Sequence, residues 1–294
     1  MTSSPDTYLL TADIGGSHIT TGICSLHGST VLKQSISRVE VLSNGSASHI
    51  LRSWARCMEQ SMVAADGPVI ALGVAMPGPF DYENGVSLIK GLNKYEALYG
   101  MNIKSYFAGI TGLPPERIRF RNDAEATIAG EVFAGAGRGF KNVLGITLGT
   151  GFGSAHLVNG QALDLNLGSE RFRTGIADDH LSTRWFMKRY ADLTGFSLQG
   201  VKELAELAAT NRIAKKLFYE FAANMSEFLT PVIQKLDPEV LLICGNIAKA
   251  NRHFLLPLTH SLSPLEIRIA EMGEIAAMIG ATGLFKAQEI ADRV

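Results

Sequence analysis

Twice in this chain an apolar extended run breaks at a glycine-rich turn and resumes as a second extended run. The first copy reads "TADIGGSHITTGICSLHG" (Thr11–Gly28), and the second reads "LGITLGTGFGSAHLVNG" (Leu144–Gly160). Each predicts a β-hairpin, the first pairing Tyr8–Asp13 with Thr20–Ser25 and the second closing on an Asn-Gly turn. Overlaid, Gly149–Thr150–Gly151 falls near Gly15–Gly16. One such turn is an ordinary hairpin. The same unit in both halves predicts a duplicated core, and few folds satisfy that.

The intervening segments set the class. His27–Gly28–Ser29 reads as the next turn and Thr30–Arg38 as a third extended segment. Ala47–Ala64 has helical spacing, with Ile50, Leu51, Trp54, Met58 and Met62 on one face. Asp66–Gly67–Pro68 breaks it. Val69–Ala75 is almost wholly apolar, as in a strand covered on both faces, and runs into the rigid Pro77–Gly78–Pro79 turn. After the second hairpin helices dominate: Ile213, Leu217, Phe221, Met225, Phe228 and Val232 recur with helical spacing and are expected in a core. Pro238 stops that helix, Glu239–Gly245 reads as a buried strand, and Ile275–Ala291 reads as a closing helix. Mixed strands and helices in this order mean α/β, with ligands at the carboxyl ends of strands.

Bulk properties narrow the function. The 294 residues allow one large domain or two, and no long linker or low-complexity tract divides them. A net charge of −1 without a basic stripe speaks against nucleic acid, and no apolar run reaches bilayer length. Cys24, Cys57 and Cys244 are dispersed, without metal-ligand spacing, so a cytoplasmic location is the expectation. Met1–Thr7 reads as a loose polar tail.

Glycine turns between strands let backbone N–H groups converge on an anion, because no Cβ blocks the approach. Two turns, with Asp13 poised to hold hydrated Mg²⁺, point to the phosphates of one nucleotide. Neither fits a P-loop, since no Gly-Lys-Ser/Thr follows, and neither leads from strand to helix as a dinucleotide fingerprint does. The second constellation is "RNDAEATIAGE" (Arg121–Glu131). Asp123 stands between a strand and a helix, where helix cap and general base are both open readings. Asn122 carries the donor and acceptor needed to orient a hydroxyl.

The blocks "ADIGGSHITTGI", "GVAMPGPFDYENG", "RNDAEATIAGE", "AGAGRGFKNVLGITLGTGFGSAHLVNG" and "LLICGN" occur in the order seen in the ROK family of sugar kinases and repressors. The resemblance covers nearly the whole chain. It implies a two-lobed hexokinase/actin-like (ribonuclease H-like) α/β fold with a duplicated sheet-and-helix core, and Mg²⁺-dependent transfer of the ATP γ-phosphoryl group to a sugar hydroxyl. By matching position, Gly15, Gly16 and Ser17 would form the first phosphate turn and Gly149, Thr150 and Gly151 the second. Asp123 would be the general base with Asn122 beside it on the sugar, Gly78 would line the sugar cleft, and Gly245 and Asn246 would lie near the adenosine. The implied division is 1–120 plus a C-terminal helix at about 278–294, against 121–277 with the catalytic Asp. A homodimer is implied as well.

Departures from the family pattern concern the acceptor. The usual Gly-Glu-x-Gly-His stretch is "LNLGS", which places Asn166 and Ser169 at the sugar. The cysteine-rich zinc motif is replaced by "RFRTGIADDHLS", so structural zinc is not expected. The following glutamate becomes Asp178, or Asp179 by a one-residue shift, so that the resemblance leaves Asn166 and Asp178 to hydrogen-bond sugar hydroxyls, while His180 reads as a surface or capping residue and His18 as a surface variation. The expectation is an ATP-dependent kinase of a hexose or hexose derivative. The alternative is a non-catalytic sugar-sensing or sugar-binding protein. A DNA-binding repressor is disfavoured because Asp13 lies so near the N-terminus, and a chaperone- or actin-like ATPase because of the Pro-Gly-Pro and Asn-Asp blocks.

Overall fold

A computed structural model of the chain describes residues 7–25, 30–92 and 94–285. The expected turn at 27–29, the segment up to residue 6 and the part of the expected closing helix beyond residue 285 lie outside the described residues. The chain forms two compact units, one of residues 1–134 with 274–294 and one of residues 135–273. The boundary expected at residue 120 is therefore displaced. Residues 118–122 join the first sheet and 123–134 pack on the returning C-terminal segment, so Asp123 belongs to the first unit and not the second.

In the first unit, β1 (Tyr8–Ile14) and β2 (His18–Ser25) form the expected hairpin, with Asp13 opposite Thr20. The third extended segment is interrupted. Buried Ser35 accepts the Ile23 N–H at 2.8 Å and donates to the Leu32 carbonyl, coiling Lys33–Ser35 so that β3 is only Ser37–Glu40. Ser46 caps α1 (Ala47–Met62), which buries Ile50, Leu51, Trp54 and Met58. Next come β4 (Val69–Met76), the short hairpin of β5 (Phe80–Asp81) and β6 (Val86–Ser87), and α2 (Ile103–Thr111). β7 (Ile118–Asn122) then leads directly into α3 (Asp123–Ala134). The sheet order is β3-β2-β1-β4-β7, with β4 and β7 parallel to β1.

The C-terminal helix is described over Ile275–Thr282, followed by a turn at 283–285. It crosses α3 at backbone contact distance. A Cβ placed on Gly130 would stand 1.9 Å from the Ala276 carbonyl oxygen, and one on Gly280 would stand 1.7 Å from that of Ala126. Thr11 and Arg121 donate to the carbonyls of Met278 and Gly280, tying the same helix to β1 and β7.

The second unit repeats the plan. β8 (Asn142–Leu148), β9 (Phe152–Val158) and β10 (Gln161–Asp164) form an antiparallel meander turned by Asn159 and Gly160, both at positive φ. After the hairpin of β11 (Arg171–Phe172) and β12 (Gly175–Ile176) come α4 (Thr183–Thr194), α5 (Val201–Leu207) and α6 (Arg212–Leu236). Leu217, Phe221, Met225 and Phe228 of α6 are buried as expected, whereas Ile213 in its first turn is exposed. Asp237 ends the helix in the left-handed region just before Pro238. β13 (Val240–Cys244), α7 (Leu255–Leu262) and β14 (Glu266–Ile269) complete a sheet of order β10-β9-β8-β13-β14. Its directions match those of the first sheet strand for strand, so the repeat in the glycine turns is a repeat of topology. All three cysteines are buried, and none is joined in a disulfide. Among the described residues no helix is long and apolar enough to cross a membrane.

Candidate active site

In the first unit the turn between β1 and β2 is held from three sides. The Gly15 N–H donates to the His18 carbonyl at 2.9 Å, the Val41 N–H to the Ser17 carbonyl at 2.8 Å, and the buried Tyr95 hydroxyl to the Gly15 carbonyl at 2.5 Å. Gly16 and Ser17 remain exposed at the tip. His18 is no surface variation: it is half-buried, and a Cβ on Gly15 would meet its ring at 3.1 Å. Gly16 differs from the close-packed glycines. Its φ is not left-handed, and a Cβ there would meet nothing within 4 Å. The fold itself thus gives no reason for glycine at this position.

Asp13, half-buried and next to last in β1, lies between Thr20 of β2 and Ala75 of β4. Burial first, then the negative charges of Asp123 and Glu274, push its carboxyl up to about 7, with Arg38 opposing them in part. Arg38 is itself ion-paired with Glu274. The sign of the stability consequence follows. A carboxyl whose folded pKa exceeds its unfolded value near 3.8 contributes stability below that value, and loses it as pH rises through about 7. Asp13→Asn keeps the neutral shape at every pH. We expect the ligand-free variant to unfold like wild type near pH 4 and to be more stable at pH 8, by up to about 4 kcal/mol. Denaturant melts at the two pH values check this, and a variant less stable at pH 8 contradicts it.

The junction of β7 and α3 divides the two roles left open for its residues. Asn122 Oδ1 accepts the N–H groups of Ala124 at 2.8 Å and Glu125 at 3.3 Å, so this side chain caps the helix. Its Nδ2 donates to the Tyr82 hydroxyl at 3.2 Å, and Tyr82 in turn donates to the Met76 carbonyl at 3.1 Å. Gly78 lies against the same hydroxyl: a Cβ there would stand 3.2 Å from it. Asp123 Oδ1 accepts the Ala124 N–H at 2.9 Å, and its charge reaches Asp13. Gly15, Gly16, Ser17, Asp13, Asn122, Asp123 and Gly78 therefore all belong to one unit.

The second unit carries the remaining candidates. The Gly149 N–H donates to the Gly151 carbonyl at 3.0 Å, and the Thr183 N–H at the start of α4 donates to the Gly149 carbonyl at 2.8 Å. Thr150 and Gly151 are exposed. As at Gly16, a Cβ on Gly149 would meet nothing within 4 Å. Gly245, at φ +90°, packs on the strand feeding this turn, where a Cβ would lie 2.4 Å from the Leu148 carbonyl oxygen. Asn246 is exposed, and its Oδ1 accepts from Lys249 Nζ. Asn166, at φ +48°, and Ser169 bracket a short coil pressed on β9. There Leu167 N–H donates to Ser154 Oγ at 3.0 Å, and a Cβ on Gly168 would collide with the Phe152 carbonyl.

Asp178, not Asp179, faces the second glycine turn: its Oδ1 accepts the Phe152 N–H, while Asp179 Oδ2 accepts the Ile176 N–H. His180 sets its ring edge-on to Phe172. The loop in place of the zinc motif is fastened by Arg173, which pairs with Glu227 and donates to Asn224 Oδ1 at 2.7 Å. Among the described residues no group of three or more His, Cys, Asp or Glu is arranged to hold a metal ion.

Sequence reasoning missed Tyr95, Tyr82, Arg38, Glu274 and Arg184. Tyr95 reaches Gly15 across 80 positions and Glu274 reaches Arg38 across 236, so no local pattern marks them.

The ROK family model matches residues 9–168, more than half of the chain. A β-glucoside kinase of Listeria monocytogenes is 26% identical, over 87% of this chain and 88% of that protein. A ROK family glucokinase from Streptomyces griseus, solved with glucose and AMPPNP, superposes with a TM-score of 0.78 at 21% identity, over 94% of this chain and 98% of that one. A ROK family transcriptional regulator, a homolog of the E. coli MLC protein, superposes with a TM-score of 0.81 at 17% identity, over 98% of this chain and 79% of that one. These likenesses establish the hexokinase/actin-like fold. Since a kinase and a regulator share it, the activity has to be argued from the residues.

Proposed function

The chain belongs to the ROK family, and from that premise we propose that it is an ATP-dependent carbohydrate kinase, transferring the γ-phosphoryl group of ATP to a hydroxyl of a hexose or hexose derivative. The observation that carries this reading is the pair Gly16 and Gly149. Both are glycine where the fold has open space and unstrained backbone. The Cβ they lack would intrude only on something that approaches from outside. A phosphate chain bound by backbone N–H groups makes that demand.

In this assignment the turns Gly15–Gly16–Ser17 and Gly149–Thr150–Gly151 hold the phosphates through the N–H groups of Gly16, Ser17, Thr150 and Gly151, those of Gly15 and Gly149 being bonded within the turns, and Gly245 and Asn246 adjoin the adenosine. Asp123 accepts the proton of the attacking hydroxyl. Asn122 has both Oδ1 bonds committed to the α3 cap, so it serves the acceptor as a donor, through the Nδ2 hydrogen that Tyr82 does not take. Gly78 and Asn166 complete the acceptor side. The residues around Asp13 fit a hydrated Mg²⁺: like charges press on the carboxylate, and Thr20 directly across the hairpin is buried with an unpartnered hydroxyl. When bound, the ion neutralises phosphate charge, with Asp13 holding it through water. Its addition with ATP should narrow the pH 8 stability gap between wild type and Asp13→Asn.

A coupled ADP-release screen over hexoses, N-acetylhexosamines and related polyols tests the activity. ADP release dependent on one of these sugars supports it, release without sugar indicates an ATPase, and no release with any candidate favours the sugar sensor. Gly16→Ala tests the phosphate turn. We expect its melting temperature to stay within a few degrees of wild type, since nothing crowds the new methyl, while ATP affinity falls by about tenfold or more. Unchanged ATP affinity would remove the turn from the site.

A further inference from the structure

Asp178 is committed at both oxygens. Its Oδ1 accepts the Phe152 N–H at 2.5 Å, and its Oδ2 is ion-paired with the Arg184 guanidinium. Phe152 is the first residue of β9, directly after Gly151. A Cβ on Gly151 would stand 3.0 Å from Oδ1, so the carboxylate lies against the turn itself and glycine at 151 leaves it room.

The peptide joining Gly151 to Phe152 is thereby fixed at both ends. Its carbonyl accepts the Gly149 N–H at 3.0 Å, and its N–H is taken by Asp178. A peptide unit is planar, so two bonds on its opposite sides set its orientation. Thr183, next to Arg184 at the start of α4, holds the Gly149 carbonyl at 2.8 Å. The Asp178 side chain is only 16% exposed, whereas that of Arg184 is 61% exposed. The acid is the brace, and the arginine is the counter-charge that orients it.

We infer that Asp178 is a positioning residue of the second glycine turn, anchored by Arg184, and that it acts on the nucleotide and not on the sugar acceptor. The inference rests on the reading of that turn as phosphate-binding. Backbone donors grip an anion only while their peptide planes point at it, so loosening the 151–152 peptide weakens nucleotide binding without touching the acceptor.

The test compares Asp178→Ala, Asp178→Asn and Arg184→Met with wild type in three readouts: ATP dissociation constant without sugar, KM for the accepted sugar, and hydrogen exchange at the Phe152 amide. Asp178→Ala should weaken ATP binding about tenfold and expose the amide to exchange. Asp178→Asn keeps a carbonyl acceptor and loses the ion pair, so it should weaken binding about threefold, with Arg184→Met alike. Sugar KM should stay within about twofold in all three. Should Asp178→Ala fail to fold, the other two variants carry the same comparison. A rise in sugar KM with unchanged ATP binding overturns the inference, as does a protected Phe152 amide in Asp178→Asn and Arg184→Met with normal ATP binding. Wild-type protein that binds no ATP removes the phosphate reading and this inference together. Wild type that binds ATP, with variants that bind it equally well, removes the inference alone.

Discussion

Asp123→Asn is expected to lower kcat by about 10³-fold or more while leaving ATP affinity within a few-fold of wild type. The substitution removes the charge and basicity of the carboxylate and keeps its shape. The α3 cap survives, because Asn122 Oδ1 already receives the N–H groups of Ala124 and Glu125, and an asparagine at 123 retains an acceptor for Ala124. Loss of the charge costs up to about 1 kcal/mol at the helix start. It also relieves Asp13, whose carboxyl is raised partly by Asp123. These effects oppose one another, so the melting temperature should move little and a lost activity is not a lost fold. Steady-state rates on the sugar found by the screen, an ATP titration and a thermal melt of the same preparation decide the matter. A variant retaining a tenth of wild-type kcat would falsify the assignment of Asp123 as base and leave Asn122 and Tyr82 as a purely binding constellation.

What could be read from the sequence was what local pattern encodes. The repeated strand–glycine–strand unit announced two sheets of equal topology, because hairpin register and apolar alternation are short-range properties. The cap at Asn122–Asp123 was visible for the same reason. The third strand was misread because one buried serine, Ser35, bonds across to β2 and coils a stretch whose composition is extended. The unit boundary was misplaced because the helix Ile275–Thr282 returns to pack on α3, a pairing between distant segments. At the candidate site the glycines and aspartates were legible, but their supports were not. Tyr95 under Gly15, Glu274 beside Arg38 and Arg184 on Asp178 belong to the turns only through tertiary contact.

Those supports change how the departures from the family pattern are understood. Family resemblance placed Asp178 on the sugar, but in this chain it bonds to the second glycine turn and to an arginine. Likewise the loop that lacks the zinc cysteines is fastened to α6 by Arg173 through Glu227 and Asn224. In the proposed assignment the acceptor side then rests chiefly on Asp123, Asn122, Tyr82 and Gly78, of which Asn122 and Gly78 both lie against the Tyr82 hydroxyl. Substitutions at Tyr82 are where a change of accepted sugar should first be sought.

The other large effect concerns the helix that carries Asp123. Gly130→Ala is expected to destabilise the protein by about 3 kcal/mol or more, because its methyl would fall 1.9 Å from the Ala276 carbonyl oxygen. That atom is backbone in a helix, so no side-chain rotation relieves the overlap. The two helices must separate, and the reciprocal contact of Gly280 on Ala126 separates with them. The melting temperature should drop by on the order of 10 °C. Gly109→Ala is the control. Gly109 lies within α2, a Cβ there meets nothing within 4 Å, and alanine in a helix is favoured over glycine by about 0.5–1 kcal/mol. This variant should match or exceed wild type. Comparable melts for both variants would show that α3 and the C-terminal helix do not cross at backbone contact. Because Asp123 opens α3, any Gly130→Ala protein that still folds should also lose kcat at temperatures well below its melt, whereas Gly109→Ala should not.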